Sequence, residues 1–357
     1  MREYRTGGVA LVGVPSARNN ITAAFNWAMH YGFDPDEASS RQLDAEAARS
    51  LDADVYMTDN AYLLHRPDSY AAASVAEALA VIGLHQRLRG RVILGEGFEG
   101  HVGTWQAEMI QAGALLPASA QAFREGGSGL PLEATRLVRA ARLRLGKALA
   151  ARDNLLLASM QRTRSFGADE PEDSVERVAV ALQGMFDALA RALNACLANP
   201  LNARHVAWHR REFLQAIPSD SQSVASTSHF KALQAVIGEL RNTVHHEPVG
   251  SAASDTRGRF EKLVTLPRTS AERFLREVDN LGRRERWVAH DIGKYGLALH
   301  PVVLCDDLIG DAAAAANRLL DTFPWTESAG SPPSPATQSD WLTYPPYLAT
   351  NRLLYGL

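Results

Sequence analysis

The run from Pro131 to Arg164 constrains the fold most, because it has a continuous helical pattern and no proline after its first residue. It carries eight basic and two acidic residues, a net charge of +6. At about 100° per residue these charges point in many directions, which predicts a solvated connecting helix. The polar sequence SFGADEPED follows at residues 165–173 and predicts a domain boundary.

The chain after this boundary is predicted to be mainly α-helical. Its apolar residues recur at helical spacing in five segments, at residues 174–197, 203–216, 228–245, 270–280 and 308–322. A more β-like segment at 257–266, RGRFEKLVTL, predicts a short strand or an extended arm. The second domain is therefore expected to be a helical bundle.

The first part of the chain has a different pattern, in which short apolar runs alternate with helical ones. GGVALVGV at 7–14 and DVYMT at 54–58 predict strands, with helices between them at about 21–31 and 36–51. A helix is expected at 75–89, and the glycine-rich segment 92–103 predicts a strand with a turn or hairpin. This order indicates a small α/β domain.

The expected fold class is therefore α+β overall. We predict an α/β domain at 1–130, a basic connecting helix at 131–165, a helical domain at 166–325, and a low-complexity linker with an aromatic docking tail at 326–357. Apolar residues make up 46% of the chain, which excludes disorder throughout. Two cysteines are too few for a disulfide framework, and no apolar run of membrane-spanning length occurs. A cytoplasmic protein outside the membrane is expected.

The segment LRNTVHHEPV at 240–249 holds the first candidate site. Arg241 and Asn242 are followed by His246, and this Arg-Asn-x3-His string lies at the end of an amphipathic helix. The string and its helical context resemble the HEPN family. Residues 174–322 are similar to HEPN-like domains of actinobacterial proteins, a resemblance that covers somewhat under half the chain.

The resemblance implies a metal-independent ribonuclease with no cofactor, acting as a toxin or an antiviral defence effector. Arg241 would hold the scissile phosphate of the RNA substrate, with Asn242 beside it, and His246 would assist the attacking 2′-hydroxyl. A guanidinium stays charged and grips phosphate, while an imidazole transfers protons near neutral pH. The predicted RNA-binding residues are His245, Arg210 and Arg211, the last two on a basic face around Trp208.

The spacing of Arg241 and His246 has a consequence for assembly. Residues five apart diverge by about 140° on a straight helix, whereas His245 diverges from Arg241 by only about 40°. Either the helix ends between the two residues, as Pro248 permits, or a second subunit completes the cleft, which is the family's usual arrangement. A homo-oligomer built through the helical domain is therefore expected.

A second resemblance is carried by AHDIGKY at 289–295, which is similar to the HD phosphohydrolase signature. It implies that His290 and Asp291 bind a divalent metal that activates water. Further ligands would come from His245 or His246 and from Asp306, Asp307 or Asp311. The structural alternative for this motif is a polar pair at a helix N-terminus before Gly293.

A third hypothesis for the function of the chain is an RNA- or protein-binding HEPN module without turnover.

Three weaker patterns complete the candidates. His205, His209 and Glu212 have the spacing of a zinc-binding helical face, although their arginine neighbours repel a metal. The acidic residues Asp52, Asp54 and Asp59 around one strand resemble part of a PIN-type nuclease, which predicts a PIN-like shape without a two-metal site. GEGFEG at 95–100 satisfies a dinucleotide-binding string, but its two glutamates would repel a pyrophosphate, so a glycine turn is expected.

Overall fold

The computed structural model describes residues 56–57, 59, 72–88, 91–93, 99–101, 112–123, 129–160, 171–243, 249–256 and 259–325. The chain divides into two compact units, residues 1–85 with 348–356 and residues 86–347 with 357. The strand expected at 7–14, the helices expected at 21–31 and 36–51, and the linker and tail at 326–357 lie outside the described residues.

The described part of the first unit contains two short parallel strands and the start of a helix. Strands β1 (Tyr56–Met57) and β2 (Ala72–Ala73) pair in parallel, and β1 lies inside the strand expected at 54–58. Helix α1 (Val75–Leu88) begins where expected, because Ser74 and Glu77 form a capping box. The Ser74 N–H donates to Glu77 Oε2 at 2.8 Å, and the Glu77 N–H donates to Ser74 Oγ at 3.2 Å.

A β-hairpin follows α1 in the second unit. Strands β3 (Arg91–Ile93) and β4 (Glu99–His101) are antiparallel, with Arg91 paired to His101. The hairpin expected in the glycine-rich segment 92–103 is confirmed.

Two long helices, α2 (Leu132–Met160) and α3 (Pro171–Ala195), pack against each other and form the centre of the second unit. Helix α2 buries a stripe of apolar residues at helical spacing that includes Val138, Leu145 and Leu149. The helix predicted as a solvated connector is therefore a packed member of the bundle, with its basic residues mostly on the other faces. The abundant alanines of α2 allow this close packing between helices.

The other helices of the bundle are α4 (Arg211–Ala216), α5 (Ser219–Ser226), α6 (Ser228–Thr243), α7 (Arg268–Leu281), α8 (Arg284–Trp287) and α9 (Pro301–Leu320). The single helix expected at 203–216 is wrong. A 3₁₀ turn at Ala203–His205 and helix α4 replace it. The chain leaves the helical path between them because Trp208 is buried in the core and its Nε1 donates to the Phe186 carbonyl at 2.8 Å.

A four-stranded antiparallel sheet packs against the bundle in the order β5 (Gly250–Thr256), β6 (Arg259–Leu266), β8 (Leu297–Leu299), β7 (Val288–Asp291). The strand expected at 257–266 is confirmed as β6. Gly296 precedes β8 with a φ of 113°, and a Cβ there would lie 1.9 Å from the Leu266 carbonyl oxygen. Only glycine permits this approach of the chain to β6.

The fold class is α+β overall, with most described residues in helices. Among the described helices, none combines the length and the apolar character needed to cross a membrane.

Candidate functional site

Two adjoining cavities of about 860 and 460 Å³ lie in the second unit, along one face of α3. The larger cavity is bounded by α2 and α3, and the smaller one by α3, α6 and the turn before α4. Gln183, Asp187 and Arg241 line both of them. We call the two cavities together the groove.

The sequence of α3 explains its contribution to the groove. Its apolar residues, among them Val178, Leu182 and Phe186, face the core at spacings of three or four. The opposite face lines the larger cavity with a mainly polar strip of the same spacing, in which Val180 is the apolar member: Asp173, Glu176, Arg177, Val180, Gln183, Gly184 and Asp187.

Gly184 shapes the wall of the larger cavity by lacking a side chain. Arg144 of α2 lies over it and donates a hydrogen bond from Nη1 to the Gly184 carbonyl. A Cβ at this position would lie 2.6 Å from Arg144 Nη1 and 3.0 Å from its Cδ. The glycine thus lets α2 place a guanidinium across α3, although glycine in a helix interior costs about 1 kcal/mol relative to alanine.

Arg241 occupies the last turn of α6, where a positive charge is favoured by the helix dipole. The apolar face of α6, with Phe230, Val236 and Leu240, packs into the core, so Arg241 points to the exposed side. Within the part of the chain that the structure describes, its side chain forms no hydrogen bond or ion pair. Arg241 therefore places a guanidinium that has no partner among the described residues at the junction of the two cavities.

The acidic residues of the groove are mostly held by neighbours. Asp173 lies 3.7 Å from the Arg177 guanidinium, and Glu239 lies 2.9 Å from that of Arg273. Asp187 accepts a hydrogen bond of 2.9 Å from Gln183 Nε2, a neutral donor. Asp187 thus keeps a negative charge that no described cation compensates.

Glu176 is the half-buried acid of the larger cavity, and its carboxylate accepts a hydrogen bond from the Val249 N–H. Burial raises the pKa of Glu176, the nearby charge of Asp173 raises it further, and the hydrogen bond from Val249 opposes both. The carboxyl group therefore gains a proton more readily than an exposed glutamate.

Two lysines complete the groove. Lys147 of α2 lines the larger cavity and Lys231 of α6 lines the smaller one, and both are exposed. Neither forms a side-chain hydrogen bond or an ion pair with any described residue. The cations of the groove that have no partner among the described residues are thus Lys147, Lys231 and Arg241.

The residues predicted for RNA cleavage are placed only in part. Arg241 and the half-buried Asn242 both line the smaller cavity. His245 and His246 lie outside the described residues, which end at Thr243 and resume at Val249.

The predicted RNA-binding face around Trp208 has to be corrected. Trp208 is only 6% exposed and forms edge-to-face contacts with Phe213 and Phe230, so its ring is not available for stacking on a base. Arg210 and Arg211 are exposed and form no ion pair within the described ranges. They follow His209, which lines the smaller cavity, directly in the sequence.

The predicted zinc-binding face does not form, because residues 206–210 interrupt the helix. His205 Nδ1 lies 2.6 Å from Glu212 Oε2, while its Nε2 accepts a hydrogen bond of 2.9 Å from Arg204 Nε. Both ring nitrogens are therefore engaged, with the proton on Nδ1. In the described part of the chain no three His, Cys, Asp or Glu side chains gather as a metal site.

The HD motif lies on an exposed edge strand rather than at a helix N-terminus. His290 and Asp291 end β7, and Asp291 Oδ1 accepts a hydrogen bond of 2.9 Å from the Gly293 N–H. Two of the expected further ligands are bound to arginines: Asp307 to Arg286, and Asp311 to Arg283. Asp306 lies 3.5 Å from the Arg152 guanidinium.

The patterns in the first part of the chain fall largely outside the described residues, among them Asp52, Asp54, Gly95 and Gly97. Asp59 is exposed, and Gly100 lies in β4 of the hairpin.

Sequence reasoning missed Lys147, Lys231, Glu176 and Asp187. The polar strip on α3 is visible in the sequence, but its partners on α2 and α6 are not.

No family model, no curated protein and no solved structure matches the chain.

Proposed function

We propose that the chain is a metal-independent ribonuclease of the HEPN type that binds RNA in the groove. The position of Arg241 carries this proposal. The arginine expected to hold the scissile phosphate is exposed, has no partner among the described residues, and lines both cavities.

Arg241 suits the proposed role chemically. A guanidinium remains charged at every physiological pH and binds two phosphate oxygens through parallel N–H donors. Because Arg241 forms no ion pair with a described carboxylate, its guanidinium is available to a substrate phosphate. Asn242 lies beside it with an amide that can donate to the same anion.

His246 is the proposed proton acceptor. It precedes Val249 by three residues in the sequence, a chain length of at most about 11 Å. The N–H of Val249 donates a hydrogen bond to Glu176, which lines the larger cavity. The imidazole takes the proton of the 2′-hydroxyl, the 2′ oxygen bonds to phosphorus, and the bond to the 5′ oxygen breaks. The leaving 5′ oxygen takes a proton from solvent water, and the imidazolium returns its proton to the hydroxide so formed. The products are a 2′,3′-cyclic phosphate and a 5′-hydroxyl.

The remaining parts of the proposal concern assembly and setting. A homo-oligomer through the helical domain would bring a second Arg241 and His246 to the cleft, which is the arrangement that the HEPN resemblance implies. The first part of the chain is proposed to be PIN-like in shape, without catalysis. A toxin or defence effector is the setting that the HEPN resemblance implies.

The test is incubation of the purified chain with total RNA, with and without a chelator. We expect cleavage that persists with the chelator and is lost in both the Arg241→Ala and His246→Ala variants. Arg318→Ala and His290→Ala are the matched controls, because both residues are exposed and line neither cavity. Loss of activity with the chelator or with His290→Ala would reverse the proposal in favour of a metal phosphohydrolase. RNA binding without products would favour a non-catalytic module.

A further inference from the structure

We propose that Lys147 and Lys231 form two phosphate subsites, one on each side of Arg241, so that the groove holds a single RNA strand across the bond to be cleaved. This inference rests on the proposed function and assigns the substrate-binding part of the same groove.

Lys147 provides the subsite in the larger cavity. It extends from the exposed side of α2, one turn beyond Arg144. Arg144 is tied to the Gly184 carbonyl, whereas Lys147 has no partner among the described residues. The chain contains only four lysines, and an ammonium on a flexible stem binds a phosphate oxygen without the fixed geometry of a guanidinium.

Lys231 provides the subsite in the smaller cavity. It precedes Arg241 by ten residues on α6, which places the two about 15 Å apart along the helix axis. This separation suits two different phosphates of one strand. Arg273, the other cation of that cavity, is already paired with Glu239 at 2.9 Å.

The shape and the charge of the protein favour an unpaired strand over a duplex. Among the residues that the structure describes, the groove cations without a partner are three separate points inside the cavities. The net charge of the chain is −3, so its overall field does not attract a duplex. Unpaired RNA presents its phosphates flexibly enough to follow such a groove.

The experiment measures binding of a short single-stranded 2′-O-methyl RNA to the full chain over a series of salt concentrations. This probe has no free 2′-hydroxyl and therefore cannot be cleaved by the proposed chemistry. The slope of log affinity against log salt should decrease in magnitude by about 0.7 in Lys147→Ala and in Lys231→Ala. Lys147→Arg and Lys231→Arg, which keep the charge, should retain the slope.

Lys294→Ala is the matched lysine control, because Lys294 is exposed and lies over the Tyr295 ring, outside both cavities. Its slope should equal that of the wild type. Lys147→Gln and Lys231→Gln repeat the test with neutral side chains that are longer than alanine. Thermal unfolding reports whether each variant is folded.

Cleavage of unmodified RNA, measured in parallel, separates this inference from the proposed function. If RNA is cleaved but both lysine variants keep the wild-type slope, the subsites are wrong and the ribonuclease proposal stands. If the slopes decrease but no RNA is cleaved, the subsites stand and the ribonuclease proposal is wrong. If the probe does not bind, the subsites are wrong.

Discussion

Arg87 and Asp153, which are 66 positions apart, form a two-point ion pair inside the second unit. Arg87 Nε donates to Asp153 Oδ2 at 2.6 Å, and Arg87 Nη2 donates to Oδ1 at 3.0 Å. Arg152 Nη2 also donates to Asp153 Oδ1, at 2.9 Å. All three residues are less than 9% exposed. The end of α1 is therefore joined to α2 by buried charges.

Asp153→Ala should lower the free energy of unfolding by about 3–5 kcal/mol, because it removes the buried carboxylate that the guanidinium groups of Arg87 and Arg152 share. Urea unfolding measures the change. The control is Asp279→Ala, which removes an exposed ion pair with Arg284 and should cost less than about 1 kcal/mol. Equal losses of unfolding free energy in both variants would show that burial does not determine how much the ion pair contributes to stability.

Glu176→Gln should change how stability depends on pH. Because burial raises the pKa of Glu176 in the folded state, its contribution to stability is fully present below the ordinary glutamate pKa of 4.5 and is lost as the pH rises through the folded-state pKa. Glutamine does not titrate, so the variant has no such pH-dependent contribution to lose. Its stability relative to the wild type should therefore increase with pH. Denaturant unfolding at several pH values measures the difference, and a constant difference would contradict the prediction.

Two helix-interior glycines of the groove should respond differently to alanine. A Cβ at Gly238 meets no atom within 4 Å, so Gly238→Ala should raise the free energy of unfolding by about 1 kcal/mol. Gly184→Ala gains the same helix propensity but displaces the Arg144 guanidinium, so its net gain should be smaller. Denaturant unfolding compares them, with Gly310→Ala as a second open position. Equal gains at 184 and 238 would argue against the close approach of Arg144.

Asp187→Asn should strengthen RNA binding, because it removes the negative charge shared by both cavities while keeping an acceptor for Gln183. The expected gain is about 0.2–1 kcal/mol, the usual range for exposed charges. Binding of the 2′-O-methyl RNA at low salt measures it. Asp220→Asn, an exposed change outside the groove, should leave affinity unaltered. Weaker binding by Asp187→Asn would place the strand away from this acid.

Much of the secondary structure could be predicted from local signals. The apolar spacing of α3 and α6 identifies both helices, and the capping box of Ser74 and Glu77 sets the start of α1. The hairpin β3–β4 also follows from its glycine-rich turn. Each of these signals depends on residues a few positions apart, so the sequence displays them directly.

In other segments, the structure differs from what the local sequence pattern predicts. Residues 206–210 sit inside a helical pattern, yet burial of Trp208 between Phe213 and Phe230 outweighs that preference. His290 and Asp291 resemble a helical motif, yet they complete β7 because its backbone pairs with β8. The basic charge of α2 suggested a solvated helix, although its alanines and leucines pack along α3.

The sequence by itself determined the long helices α2, α3 and α6 and placed Arg241 at a helix end. Only the tertiary structure decided that Arg241 lies between two cavities and that Lys147, Lys231 and Asp187 share the groove with it. These side chains come from α2, α3 and α6, and their meeting depends on how the buried faces of those helices pack. Whether a charge is free also depends on which opposite charge lies within about 4 Å of it, and residues distant in sequence determine that.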